Sequence, residues 1–70
     1  MTTKQLIEMA IGYAGITKAD LARKLGWSPQ TLSNRINTGK FSVEEWEQIG
    51  EAIGASTQIT FTFPDGKTIQ

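Results

Sequence analysis

The chain has 70 residues, seven of them basic and seven acidic, and it contains neither cysteine nor histidine. These absences exclude disulfide scaffolds, zinc sites built on Cys or His, and catalysis by Cys–His or Ser–His pairs. A chain this short forms one domain whose core supplies only a few kcal/mol, so we expect self-association to add stability.

The N-terminal residues run directly into an amphipathic pattern that resembles neither a signal peptide nor a membrane span. Thr2 followed by Gln5 is typical of a helix start, and the apolar spacing predicts a helix over 3–14. Its predicted core-facing residues are Leu6, Ile7, Ala10, Tyr13 and Ala14. We expect a cytoplasmic protein that contacts no membrane and uses no metal or cofactor.

Three further helix starts share one pattern, in which a hydroxyl residue is flanked by an apolar residue before it and another four positions after it. These capping residues are Thr17, Ser28 and Ser42. They predict helices over 18–25, 29–37 and 43–53, each followed by a glycine suited to the left-handed position past a helix end. The predicted core-facing residues are Leu21, Ala22, Leu25, Leu32, Ile36, Val43, Trp46, Ile49 and Ile53.

From Thr57 the apolar period changes to two, which predicts a strand with one apolar face. The residues Pro64-Asp65-Gly66 predict a tight turn into a second strand. A three-residue loop with a bulge at Gly66 would pair Phe61 with Ile69, whereas a two-residue loop would move Ile69 to the polar face. The predicted fold is mainly α, with a helical region over 1–56 and a hairpin over 57–70 in one domain.

Charge is unevenly distributed along the chain. Residues 17–40 hold five basic residues and one acidic residue, whereas 41–56 hold four glutamates and no basic residue. This separation favours one electropositive side that can meet phosphates, the alternative being charges scattered over a solvated surface. The zero net charge predicts weak non-specific affinity for DNA, because few counterions would be released.

The helices predicted over 18–25 and 29–37, with a three-residue turn between them, have the form of a helix-turn-helix. With Leu32 and Ile36 directed inward, the outward face of the second helix is polar. Terminal amides pair bidentately with adenine, and hydroxyls can donate, accept or touch a thymine methyl, although a simply solvated face is the alternative. The candidate DNA-binding residues are Lys18, Gln30, Thr31, Ser33, Asn34, Arg35, Asn37 and Lys40, with phosphate the expected target of the three cations.

Residues 17–56 resemble the phage repressor/Cro-type helix-turn-helix family, the XRE-like regulators. The resemblance rests on the Leu-Ala-x-x-Leu-Gly pattern at 21–26, the Ser-capped helix that follows, and the closing helix over 43–53. It implies a four-helix λ-repressor-like domain in which Gln30, Thr31 and Asn34 contact bases. Many members close the second helix with an acidic residue, Asn and Gly, whereas this chain has Asn37-Thr38-Gly39.

The leading hypothesis is a sequence-specific repressor that binds a near-palindromic site in double-stranded DNA as a homodimer. The residues expected to form the dimer contact are Ile59, Phe61, Phe63 and Ile69. The alternative is a protein-interaction module, such as an antitoxin-like or inhibitor protein, which binds a protein partner through its acidic helix or hairpin edge. An enzyme is disfavoured, because Glu44, Glu47 and Glu51 on one helix face are typical of a solvated surface.

Overall fold

The computed structural model describes residues 1–70 and contains four helices followed by a two-stranded antiparallel hairpin. The helices are α1 (Thr3–Ala14), α2 (Lys18–Leu25), α3 (Pro29–Thr38) and α4 (Val43–Ile53), and the strands are β1 (Phe61–Thr62) and β2 (Thr68–Ile69). The mainly α fold is confirmed, and each predicted helix agrees to within one residue. The first strand is shorter than predicted. None of the helices is long and apolar enough to cross a membrane.

Local hydrogen bonds define both ends of every helix. The capping hydroxyls of Thr2, Thr17, Ser28 and Ser42 each accept from the backbone N–H three residues later. All but Ser28 are part of a reciprocal capping box. The glycine past each helix has a φ between 70° and 76°, a conformation that other residues adopt only with strain. The ends of these short helices are therefore specified by neighbouring residues, whereas their stability depends on packing.

The core consists of seven buried apolar side chains contributed by all four helices. They are Ile7, Ile11, Leu21, Ala22, Leu32, Ile36 and Ile49. The expected α1 face is wrong in part, since Ile11 faces the core whereas Tyr13 is 97% exposed. Apolar residues surround most of α1, so their spacing admits more than one buried face. Leu6, Ala14 and, on α4, Val43 are also exposed rather than buried.

Arg35 connects α3 to α4 through a group of side chains that we call the Arg35 cluster: Trp27, Arg35, Phe41 and Glu45. The guanidinium Nη2 donates to both carboxylate oxygens of Glu45. The guanidinium carbon lies 5.2 Å from the ring centroid of Trp27 and 5.6 Å from that of Phe41. The two rings are stacked with their centroids 6.3 Å apart. Charge-assisted hydrogen bonds and cation–π attraction thus link the start of α4 to the end of α3.

The chain beyond α4 is attached to that helix at Gly50. The Thr57 hydroxyl donates to the Trp46 carbonyl oxygen at 3.1 Å, and the Ala55 N–H donates to the Gly50 carbonyl oxygen at 2.8 Å. A Cβ atom on Gly50 would overlap the Thr57 hydroxyl. A glycine is therefore needed here for close approach.

The hairpin has the predicted register, with Phe61 opposite Ile69 and Thr62 opposite Thr68. The Phe63 N–H donates to the Lys67 carbonyl oxygen at 2.8 Å, and the φ of Gly66 is 91°. This pairing confirms the three-residue loop over 64–66, and it places Phe61 and Ile69 on the same face. Every residue from 54 to 70 is nevertheless exposed.

We predict that Gly50→Ala lowers the free energy of unfolding by about 1–3 kcal/mol, because the new methyl group displaces Thr57 from Trp46. Gly12→Ala is the matched control, since Gly12 lies inside α1 and a methyl group there would meet no neighbouring side chain within 4 Å. This change should instead stabilise the protein by about 0.5–1 kcal/mol through helix propensity. Urea unfolding followed by circular dichroism measures both, and effects of the same sign would contradict the assignment.

Stability should fall in acid through Glu45 and Asp20. Hydrogen bonds from the Ser42 backbone and from Arg35 lower the pKa of Glu45, and those from Thr17 and Arg23 lower the pKa of Asp20. Because each pKa is lower in the folded state, the unfolded state binds more protons. The stabilisation is present at neutral pH and is lost as the pH falls below about 4.5.

Glu45→Gln should lower the urea midpoint at neutral pH and reduce its decline in acid, since this variant has no carboxylate to protonate at that position. The control is Glu47→Gln, because Glu47 is an exposed residue of the same helix without an ion pair. Urea midpoints measured between about pH 7 and pH 3 test this. Identical pH profiles for the two variants would refute the role of Glu45.

Candidate nucleic-acid interface

The turn between α2 and α3 consists of Gly26, Trp27 and Ser28. Gly26 has a φ of 75°, and the Trp27 N–H donates to the Ala22 carbonyl oxygen at 2.9 Å. The Ser28 hydroxyl then begins α3 by accepting from the Thr31 N–H at 3.1 Å. With Ala22 buried on α2, this short turn holds α3 at a fixed angle to α2.

Burial determines which side of α3 faces outward. Leu32 and Ile36 are 1% and 2% exposed, so the opposite side of the helix is presented to solvent. The exposed residues of α3 include Gln30, Thr31, Ser33, Asn34, Asn37 and Thr38. Because Gln30, Asn34 and Asn37 follow one another at intervals of four and three residues, they form one row along the helix.

The amides in this row are free to bind an external partner. The side chains of Gln30, Asn34 and Asn37 make no hydrogen bond within the protein, and neither does that of Ser33. Each amide therefore presents both a donor and an acceptor to whatever approaches this face. That combination is the one that pairs bidentately with the major-groove edge of adenine.

The two threonines of α3 differ from the amides, because their hydroxyls are already engaged. The Thr31 hydroxyl oxygen accepts from the Ser28 hydroxyl at 2.8 Å, which leaves its own proton free to donate outward. The Thr38 hydroxyl donates to the Arg35 carbonyl oxygen at 3.1 Å. Thr38 thus supplies a hydrogen bond to a carbonyl oxygen in the last turn of the helix, before Gly39.

The lysines near this face differ in their pairing. Lys40, two residues after α3, is exposed and has no carboxylate within 4 Å. The Lys18 ammonium lies 3.6 Å from the Glu8 carboxylate, and both side chains are about half exposed. Lys24 was not among the predicted residues, although it is exposed and unpaired in the last turn of α2. The sequence shows its charge but not its position relative to α3.

Arg35 has partners inside the protein rather than on the outward face. Besides its ion pair with Glu45, its Nε–H donates to the Lys40 carbonyl oxygen at 3.2 Å. The phosphate contact expected of Arg35 would compete with these bonds. The side chain instead holds the backbone at Lys40 and pairs with Glu45. The sequence does not indicate this pairing, because the two residues are ten positions apart and lie on different helices.

The basic segment 17–40 and the acidic segment 41–56 are joined by the ion pair between Arg35 and Glu45. Beyond it, Glu44, Glu47 and Glu51 of α4 are exposed. Near α3, Asp20 caps α2 and pairs with Arg23 at 2.5 Å, and hydrogen bonds from Thr17 lower the pKa of this carboxyl. The cations left without a carboxylate near α3 are therefore Lys24 and Lys40.

Comparison with known proteins agrees with this geometry. Residues 14–59, more than half of the chain, match a helix-turn-helix family, and the match includes α2, the turn, α3 and α4. No curated protein and no solved structure matches the chain. The chain therefore belongs to the helix-turn-helix family of the phage repressor/Cro type, a family of DNA-binding transcription regulators.

Proposed function

We propose that the protein is a cytoplasmic, sequence-specific repressor that binds a near-palindromic site in double-stranded DNA as a homodimer. The observation that carries this proposal is the row of unbonded amides on α3, which faces outward from a rigid turn. In a helix-turn-helix, the second helix enters the major groove and presents such side chains to base edges.

Each residue of the interface has a defined task in this proposal. Gln30 and Asn34 read bases, Thr31 and Ser33 add single hydrogen bonds or methyl contacts, and Asn37 continues the row at the groove edge. Phosphate contacts come from Lys40, which is already free, and from Lys18, which exchanges Glu8 for the DNA backbone. Arg35 would have to give up Glu45 to reach a phosphate, so it ranks behind both lysines as a phosphate ligand.

The hairpin supports the homodimer. An isolated two-stranded hairpin is marginal in water, and both of its edges carry unpaired backbone groups. Pairing two hairpins across a two-fold axis satisfies one edge of each and sets the two copies of α3 about 34 Å apart, one turn of DNA. A dimer bound in this way represses by occupying DNA that the transcription machinery needs.

Alanine at Gln30 or Asn34 should weaken binding to the specific site by about 1–3 kcal/mol and leave binding to random duplexes nearly unchanged. The specific site can be obtained by repeated selection from a random duplex library. Gln48→Ala is the matched control, because Gln48 is an exposed amide on α4. Equal losses on selected and random DNA would show that neither amide reads bases.

Lys18→Ala and Lys40→Ala should weaken binding to all duplexes and reduce the salt dependence by about one phosphate each. Lys4→Ala is the control, since Lys4 is an exposed lysine of α1 without an ion pair. Fluorescence anisotropy at several salt concentrations gives the slopes. Unchanged slopes for both lysines would move the DNA to another face, and a parent protein that bound no duplex at low salt would favour a protein-interaction module.

A further inference from the structure

The chain exposes more surface than its mass requires. Its solvent-accessible surface is 5156 Å², whereas a compact protein of 7.7 kDa exposes about 4,300 Å². Its radius of gyration of 13.2 Å likewise exceeds the value of about 11 Å for a compact chain of this length. The excess of about 800 Å² equals the area that one partner contributes to a standard protein interface.

The hairpin contributes to this exposed surface, since all of its residues are exposed. Phe61, Phe63 and Ile69 are between 47% and 67% exposed, and the register places Phe61 opposite Ile69. Ile59 is 45% exposed, precedes β1, and lines a shallow groove with Leu6 and Trp46 of its own chain. The molecule measures 42 × 23 × 20 Å, an elongated shape for four short helices and a hairpin. The hairpin therefore has an apolar face, formed by Phe61, Phe63 and Ile69, that stays about half exposed or more in a single chain.

A groove of matching chemistry lies between α1 and α4. Leu6 and Ala10 of α1 and Trp46 and Ile53 of α4 line it, together with the segment 55–58 of the same chain. The groove has a volume of about 270 Å³, and none of its lining side chains is charged. Leu6 is 48% exposed, so part of the apolar lining of the groove is accessible to a partner.

We propose that this groove receives the apolar hairpin face of a second copy of the chain. The inference rests on the proposed homodimer and names the surface that the dimer uses. Each copy supplies one hairpin and one groove, so the contact is isologous and occurs twice across the two-fold axis. The hairpin face is apolar and the groove is mostly apolar and uncharged, so docking removes apolar surface from water without burying a charge.

The two proposed contacts of the hairpin are compatible, because they use different parts of it. Edge pairing uses backbone N–H and C=O groups, whereas groove docking uses side chains above the plane of the strands. No groove residue belongs to α2 or α3, so the row of amides on α3 stays free for DNA.

Two variants and their mixture test the groove. Leu6→Lys places a charge in the groove and Phe61→Asp places one on the hairpin, at side chains exposed enough for the helices to fold. Circular dichroism checks folding, and sedimentation equilibrium measures the dimer dissociation constant. Each variant alone should raise this constant at least about tenfold.

An equal mixture of the two variants should recover dimers. In the mixed dimer one groove–hairpin contact is unmodified, and in the other the introduced lysine faces the introduced aspartate. Met9→Lys is the matched control, because Met9 is an exposed residue of α1 that does not line this groove, and it should dimerise like the parent.

Three results would overturn the inference: a monomeric parent, a Leu6→Lys variant that dimerises like the parent, or a mixture that recovers no dimer. In the second case, intact operator binding by Leu6→Lys would leave the proposed function standing. Conversely, a parent that binds no duplex while the mixture recovers dimers would refute the DNA-binding function and support the groove.

Discussion

The burial of Leu32 and Ile36 in the core is the constraint on which the rest of the site depends. These two side chains fix the rotation of α3 about its own axis, and a helix rotated by one residue would turn its polar row by about 100°. The turn at Gly26 sets the angle of the helix, and the Arg35 cluster joins its far end to α4. Because these contacts hold both ends of α3, the helix keeps its position without hydrogen bonds from its amide side chains.

The features that depend on neighbouring residues are the ones that could be predicted from the sequence. Helix ends depend on neighbouring residues. A hydroxyl cap, the two apolar residues that flank it, and a glycine past the last turn identify them without knowledge of tertiary packing. The hairpin register could be predicted because only one loop length places Ile69 beside Phe61. The outward face of α3 could be predicted because just two of its positions are strongly apolar.

Tertiary geometry decides what the sequence could not. On α1, apolar residues lie on nearly every side, so only contact with the other helices selects Ile11 over Tyr13. In the sequence, Arg35 is one of several cations beside the polar row. Its pairing with Glu45 depends on how α4 folds back, which no local pattern records. Lys24 belongs to the basic segment, but its place relative to α3 also follows from the helix packing.

The pairing of charges affects how strongly this protein could bind the phosphate backbone of DNA. Lys18, Arg23 and Arg35 each have a carboxylate partner, so few cations near α3 are ready to release counterions from DNA. In the proposed function, a single copy would depend on base contacts more than on phosphates, and two linked copies would gain affinity through effective concentration. That gain requires a fixed distance between the two copies of α3. Thr57 lies against Gly50 of α4, and α4 is joined to α3 through Arg35. In the proposed dimer, the segment between α4 and β1 would have to hold the hairpin in one position for the two copies of α3 to keep a constant spacing.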